Sequence, residues 1–337
     1  MRLHSRLLLA LGIPLLVTLA SSGSALAQAP TGLEGTVVVL NKRGNDASFI
    51  DLASGAIVAS APTGVGPHEL VVLDGGRTAV GTDYEGEVGS LTVLDVATGR
   101  RSRTIDLSPY RRPHGIEALP GDSVVAVTVE QDRAVLLVRV ADGEIIRVID
   151  TRADGSHMVA VPSDGRTLWT GDIGSNTVSQ FSTRTGERLQ ALPAPEQPEA
   201  INVTDDGDRL FAGSNATGVV SVFDTGDGTR ATVAEGFGWP YRMFLTPGAR
   251  QLIVPDLRRE VLRFFDGTSY RELGRMAFPG EAPQGLVLHP DGRHLFLSLS
   301  GADRIAVVDI QERQVVGYLP AGSSPDGIAY STISVAR

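Results

Sequence analysis

Apolar positions in this chain fall in short runs and not in stripes at helical spacing. TVVVL from Thr36, VVAVTV from Val124, RLFAG from Arg209 and HLFLSL from His294 are five or six residues long, the length of strands buried on both faces. Turn signals of two recurring kinds separate them. LDGGRT, PSDGRT, TDDGDR and HPDGRH form one set; DLASGA, DVATGR, RVADGE and STRTGE form the other. Their Asp-Gly and Thr-Gly pairs supply the positive φ that tight hairpins need. The pattern predicts antiparallel sheets built from hairpins.

The hairpins repeat. Strand starts led by proline recur at Pro67, Pro113, Pro198, Pro240, Pro283 and Pro325, and Ser156 stands in the same slot of GSHMV. The intervals are 46, 43, 42, 42, 43 and 42 residues. A period of this size filled with short strands predicts the blades of a β-propeller, an all-β ring of four-stranded antiparallel blades. After residue 27 the chain starts on the second strand of a repeat, and it ends just past a first strand, SPDGIAYSTISV. Pairing the N-terminal strands with that C-terminal strand closes a seven-bladed ring and removes two sheet edges. Residues 28–337 are therefore expected to form a single propeller domain.

Segments such as VPSDGRTLWTGDIGSNTVSQFSTRTGE and LHPDGRHLFLSLSGADRIAVVDIQERQVVGYLPAG resemble the bacterial YVTN-type β-propeller repeat family. Cytochrome d1-like propellers and seven-bladed lactonases are similar architectures. The resemblance implies the fold across nearly the whole chain but no single function, because propellers host binding proteins and unrelated enzymes.

Residues 1–27 read as a cleaved secretory signal. Arg2 and Arg6 precede the apolar LLLALGIPLLVTLA, and ALAQAP offers a small-residue cleavage site after Ala27. A periplasmic or secreted protein follows, without stable membrane insertion once the signal is removed. The chain has no cysteine, which excludes thiolate nucleophiles, cysteine-ligated metals and covalently attached haem c. Without Arg2 and Arg6, 28 basic residues face 39 acidic ones, a formal charge of −11. No nucleic-acid partner is expected of such a chain.

In an antiparallel propeller blade the innermost strand starts at the mouth of the central channel. The residue after each slot is His68, His114, His157, Glu199, Tyr241, Gln284 or Asp326: seven polar or aromatic side chains heading mostly apolar strands. The ends of the second strands, among them Asp83, Asp172 and Asp256, form a companion ring on the same face. Arg112, Arg242 and Trp239 flank that rim, and the longest repeat places its extra residues there, in YEGEVG and SPYRRP. Three of the five histidines beyond residue 27 share the slot in consecutive blades. His289 and His294 fall in a turn at the opposite end and read as solvated.

Neutral imidazoles clustered at one mouth can share a transition metal. His68, His114 and His157, with Glu199 as a fourth ligand, are the candidate set for copper, iron or zinc, with an open position for water or substrate. The acids beside them are candidates to orient the rings. Equally, each imidazole can simply satisfy a neighbouring blade's backbone or carboxylate, or act without metal, with His157 as acid or base. Arg112 and Arg242 are candidates to clamp a carboxylate, and Trp239 and Tyr241 to stack on a ligand. Asp83, Asp172, Asp256, Gln284 and Asp326 complete the expected ligand-binding rim. No nucleophile elbow GxSxG occurs, and GVGPHE lacks the spacing of a phosphate loop, so no nucleotide is expected. NAT at Asn215 matches a glycosylation acceptor by its pattern alone.

Two functional readings stay open. One is an exported metal-dependent lyase, hydrolase or oxidase of a small organic, anionic substrate, with a lactonase-like variant that needs no metal. The other is a non-catalytic periplasmic scaffold whose rim binds a small molecule or a protein.

Overall fold

Seven four-stranded antiparallel sheets stand in a ring in the computed structural model, which describes residues 32–336. The signal segment lies outside the described residues. Among those described, no helix is long and apolar enough to cross a membrane. The first blade closes the ring as expected: Pro325–Ser331 pairs antiparallel with Thr36–Asn41, and Asp46–Asp51 and Ala56–Pro62 complete the sheet outward. The second to seventh blades are continuous in sequence. Their inner strands are Pro67–Leu73, Pro113–Ala118, Ser156–Ala160, Pro198–Val203, Phe244–Leu245 and Pro283–Leu288.

The short apolar runs are the middle strands, buried on both faces, as in Thr36–Asn41 and Val124–Val129. Outermost strands such as Arg100–Asp106 alternate toward solvent. Buried apolar side chains gather in seven clusters, each joining two neighbouring blades. The fourth and fifth blades, for instance, meet through Trp169, Val178, Leu210 and Phe223. Each such side chain contributes about 1.5–3 kcal/mol on burial. The core is thus a set of wedges between blades, and the lumen is left to the inner strands.

Every inner strand carries one extra residue just after its slot. Pro67 pairs with Asp83 but Leu70 with Gly81; Pro113 pairs with Val129 but Ile116 with Val127. The fourth, fifth, seventh and first blades repeat the shift. In the sixth it lies between the Pro240–Asp256 bridge and the Phe244–Ile253 pair. A bulge of this kind re-aims a side chain, and here it turns the residue after the slot out of the ladder toward the channel mouth.

Two glycines let neighbouring inner strands close at that level. A Cβ on Gly115 would lie 2.8 Å from the His157 carbonyl, and one on Gly327 2.2 Å from that of His68. The residue before the slot is left-handed in six blades, including the non-glycines Arg112, Gln197, Ala282 and Ser324, a sparsely populated conformation for them. The sixth blade departs from this rule. Its inner strand is only two residues long, and the preceding WPYRM runs as irregular chain.

Candidate functional site

The bulges bring the three histidines together. The His68 and His114 ring centres lie 4.8 Å apart, and His114 stacks on His157 at 3.6 Å. All three are buried. Threonines on the second strands hold the backbone beneath them: Thr82 donates to the His114 carbonyl at 3.0 Å, and Thr128 to that of His157 at 2.6 Å. The residues next to the histidines decide their chemistry.

His68 donates from Nδ1 to the Gly66 carbonyl (3.0 Å) and accepts at Nε2 from Lys42 Nζ (2.6 Å). Burial, with the positive charge of Lys42 adding to it and Asp326 opposing, lowers its pKa to about 4. His114 is held well below the usual histidine range by burial and by its histidine neighbours. Among the described residues its Nδ1 has no hydrogen-bond partner, and an orphaned buried donor or acceptor points to a missing partner. His157 sits between two carboxylates, with Nδ1 3.7 Å from Glu130 Oε1 and Nε2 3.8 Å from Glu199 Oε1.

The two carboxylates differ. Burial opposes ionisation of Glu130, but contacts from His157 and Tyr84 and the charge of Arg112 outweigh it and hold it down at about 2. Burial pushes Glu199 up, partly offset by His157 and Asn215. Asn215 donates from Nδ2 to Glu199, so the side chain of the glycosylation-like pattern faces inward. Tyr84, from the long YEGEVG loop, lies 4.6 Å from His68 and 5.1 Å from His114 and donates its hydroxyl to Glu130 at 2.6 Å. Arg112 stands exposed at the rim, 4.8 Å over the Tyr84 ring, and among the described residues no carboxylate lies within ion-pair distance of it. The elaborated loop therefore does serve the mouth.

The rest of the inner ring is in place. Tyr241 donates its hydroxyl to buried Asp326 at 3.1 Å, from the sixth blade to the first. Gln284 lines a mouth pocket of about 600 Å³ with Lys42, Arg43 and Ser324, and among the described residues its Oε1 has no hydrogen-bond partner. Trp239 is covered by Arg258 at 4.7 Å.

Other expectations need correcting. Three of the companion-ring acids, Asp83, Asp172 and Asp256, do not orient the imidazoles. Asp83 accepts from Ser90, Thr92 and the Gly64 amide. Asp172 accepts from Ser156, Thr170, Thr177 and Ser179, and Asp256 from the amides of Gly238, Trp239 and Arg259. These carboxylates fasten strands and turns; Glu130 and Glu199 flank the imidazole instead. Arg242 is no free clamp. It is buried, donates to the Tyr241 carbonyl at 2.8 Å and forms an ion pair with Glu69 across the channel. The bulge explains this: the residue after the slot faces the mouth, and the next one, Glu69 or Arg242, faces down the lumen.

As arranged, the histidines do not converge on one ion. Among the described residues no group of three His, Asp or Glu is placed to hold a metal. Two imidazoles sharing a zinc at ~2.0–2.1 Å per nitrogen stand with ring centres roughly 5 Å apart, whereas His114 and His157 are face to face at 3.6 Å. The lysine ammonium on His68 Nε2 also occupies the place a cation would take. Sequence reasoning missed Lys42, Tyr84 and Glu69 as site residues; the extra length of the YEGEVG repeat was the available signal for Tyr84.

With this geometry in view, comparison with known proteins is informative about architecture. No protein-family model matches the chain, and no curated relative does. Solved structures do match. A functionally unknown protein from Desulfotomaculum acetoxidans is 14% identical with a TM-score of 0.74, over 89% of this chain and 100% of that one. The periplasmic gluconolactonase of Pseudomonas aeruginosa is 19% identical with a TM-score of 0.69, over 88% and 99%. A putative 6-phosphogluconolactonase from Bacteroides uniformis is 13% identical with a TM-score of 0.72, over 88% and 100%. The likeness is one of fold. These neighbours are lactonase-like propellers and a protein of unknown function.

Proposed function

We propose that this protein is an exported hydrolase of a small anionic cyclic ester, a lactone, working by acid–base chemistry at the channel mouth without a metal ion. The observation that carries the reading is His157, stacked on His114 and held between Glu130 and Glu199. Ionised Glu130 faces Nδ1 and stabilises the imidazolium that forms when His157 takes a proton. Water, deprotonated by His157 as it attacks, adds to the acyl carbon, and the ring C–O bond breaks. The leaving alkoxide takes a proton from Glu199, whose burial favours the protonated form. The hydroxy acid leaves, and the His157 proton returns to Glu199. Lys42, Arg43 and Arg112 supply positive charge at the rim of a chain that is acidic overall.

The gluconolactonase and the putative 6-phosphogluconolactonase among the fold neighbours support the reaction class, and the former's periplasmic location agrees with the signal-like N-terminus. The repeat pattern resembles that of the YVTN-type propellers. The test is hydrolysis of a panel of sugar and aliphatic lactones by the mature protein, read as acid release, with elemental analysis of the same preparation. Turnover that falls on the order of 10²-fold or more in His157→Gln supports the reading. No turnover of any lactone, or about one metal per chain that is lost in His114→Ala, overturns it.

A further inference from the structure

Below the mouth the lumen holds a second cavity of about 420 Å³, bounded by all seven inner strands. Its ceiling is the Arg242–Glu69 ion pair. Arg242 belongs to the sixth blade and Glu69 to the second, three steps apart by the shorter path and four by the longer, the widest separation a seven-membered ring allows. The pair therefore spans the lumen as a crossbar. It divides the channel between a mouth with the histidines and a lower chamber without them.

The lower chamber has one uncompensated charge. Glu117, on the inner strand of the third blade, is exposed to the lumen, with the channel wall ringed around it. Among the described residues its carboxyl has no hydrogen-bond or ion-pair partner, and the ring of protein around it, which thins its hydration, raises it to about 7. The other charged groups on the chamber wall are Glu69 and Arg242, committed to each other, and the neutral Tyr330 and Asn202 add no charge. Apolar side chains, among them Val72, Met158, Leu286 and Ile328, fill much of the remaining wall. The inner strands lie at the end of each sheet, so their free edges offer backbone carbonyls to the lumen.

A pocket of a few hundred Å³ whose wall combines apolar side chains, backbone polar groups and one unpaired charge has the form of a small-ligand site. We propose that the lower channel is a second binding site, separate from the mouth, for a small ammonium ion with an apolar body, and that Glu117 is its counter-charge. The ammonium would pair with the carboxylate and donate to edge carbonyls, while its apolar part covers the side chains. This site does not depend on the proposed hydrolase activity.

The test is calorimetric titration of the mature protein with phenethylammonium, with neutral 2-phenylethanol as its control. The amine is expected to bind at about pH 8–9, where it is still an ammonium ion and Glu117 is ionised, and more weakly below pH 7, as Glu117 becomes protonated. Glu117→Gln and the neutral control should each bind on the order of tenfold more weakly or worse, the loss expected when a charge-assisted carboxylate–ammonium hydrogen bond is removed. Val287→Trp, which fills the chamber from the far wall, should abolish binding. His157→Gln should bind the amine as the wild type does, which separates this site from the mouth. Absence of binding to the wild type, unchanged affinity in Glu117→Gln, or loss of binding in His157→Gln would overturn the proposal.

Discussion

The protein places histidines at both ends of its ring, and the two groups are built in opposite ways. At the mouth, His68, His114 and His157 stack on one another and are buried, and burial keeps His68 and His114 neutral. At the far end, His289 and His294 share one carboxylate. Asp291 lies 3.2 Å from His289 Nδ1 and 2.6 Å from His294 Nδ1. Partial burial opposes ionisation of Asp291, but hydrogen bonds from His294 and nearby amides hold it down at about 2. Both far-end side chains are more buried than the sequence suggested, 12% and 18% exposed, and His289 packs edge-on against Tyr330. A carboxylate in contact makes a histidine a turn fastener. Imidazoles packed on imidazoles, with carboxylates just beyond hydrogen-bond reach, remain available for proton transfer.

That contrast can be broken by making the same change at each end. His157→Gln is expected to lower lactone turnover by about 10²–10⁴-fold, whereas His294→Gln leaves it unchanged; steady-state kinetics on the two variants checks this. Equal losses would mean that neither end is the site. The crossbar beneath the mouth gives the next largest effect. Arg242→Met leaves Glu69 buried without its partner and should cost about 3–5 kcal/mol in denaturant unfolding, with most of that recovered in Arg242→Met/Glu69→Leu. A single variant as stable as the wild type would show that the two groups do not meet.

Titration sharpens the comparison further, because the signs differ. His68 has its folded pKa lowered to about 4 from 6.5. The stability linked to it is fully present above 6.5 and is lost as pH falls through that window. Glu117 has its folded pKa raised to about 7 from 4.5, so its linked stability is present below 4.5 and is lost as pH rises toward 7. Melting temperatures across pH should therefore fall less steeply toward acid in His68→Gln than in the wild type. Glu117→Gln should change the profile in the opposite sense, removing the decline toward neutral pH. The smallest effect is at the far end: Asp291→Asn should cost about 1 kcal/mol or less, since Asp291 is itself a third exposed and an amide can still accept the same hydrogen bonds, and thermal unfolding would register it.

Much of the architecture was legible in residue order. Six near-equal intervals, two kinds of Gly-bearing turn and a split terminal repeat require seven blades and their closure, because strand length and turn chemistry are local properties. The inner ring was legible for the same reason: one slot per repeat means one place on the ring. Lys42, Tyr84 and Glu69 were much less so. Lys42 and His68 sit in different repeats, and Glu69 and Arg242 meet only because a closed ring sets their blades across one lumen.

Residue order alone therefore determined the ring, its seven blades and the position of three histidines at one mouth. Only the tertiary structure decided which side chains face the mouth and which face down the channel, since a single bulged residue per inner strand reverses that direction. It also decided which carboxylates touch an imidazole and which fasten a turn. Those choices depend on distances of a few ångströms between blades, and a period along the chain carries no information about them.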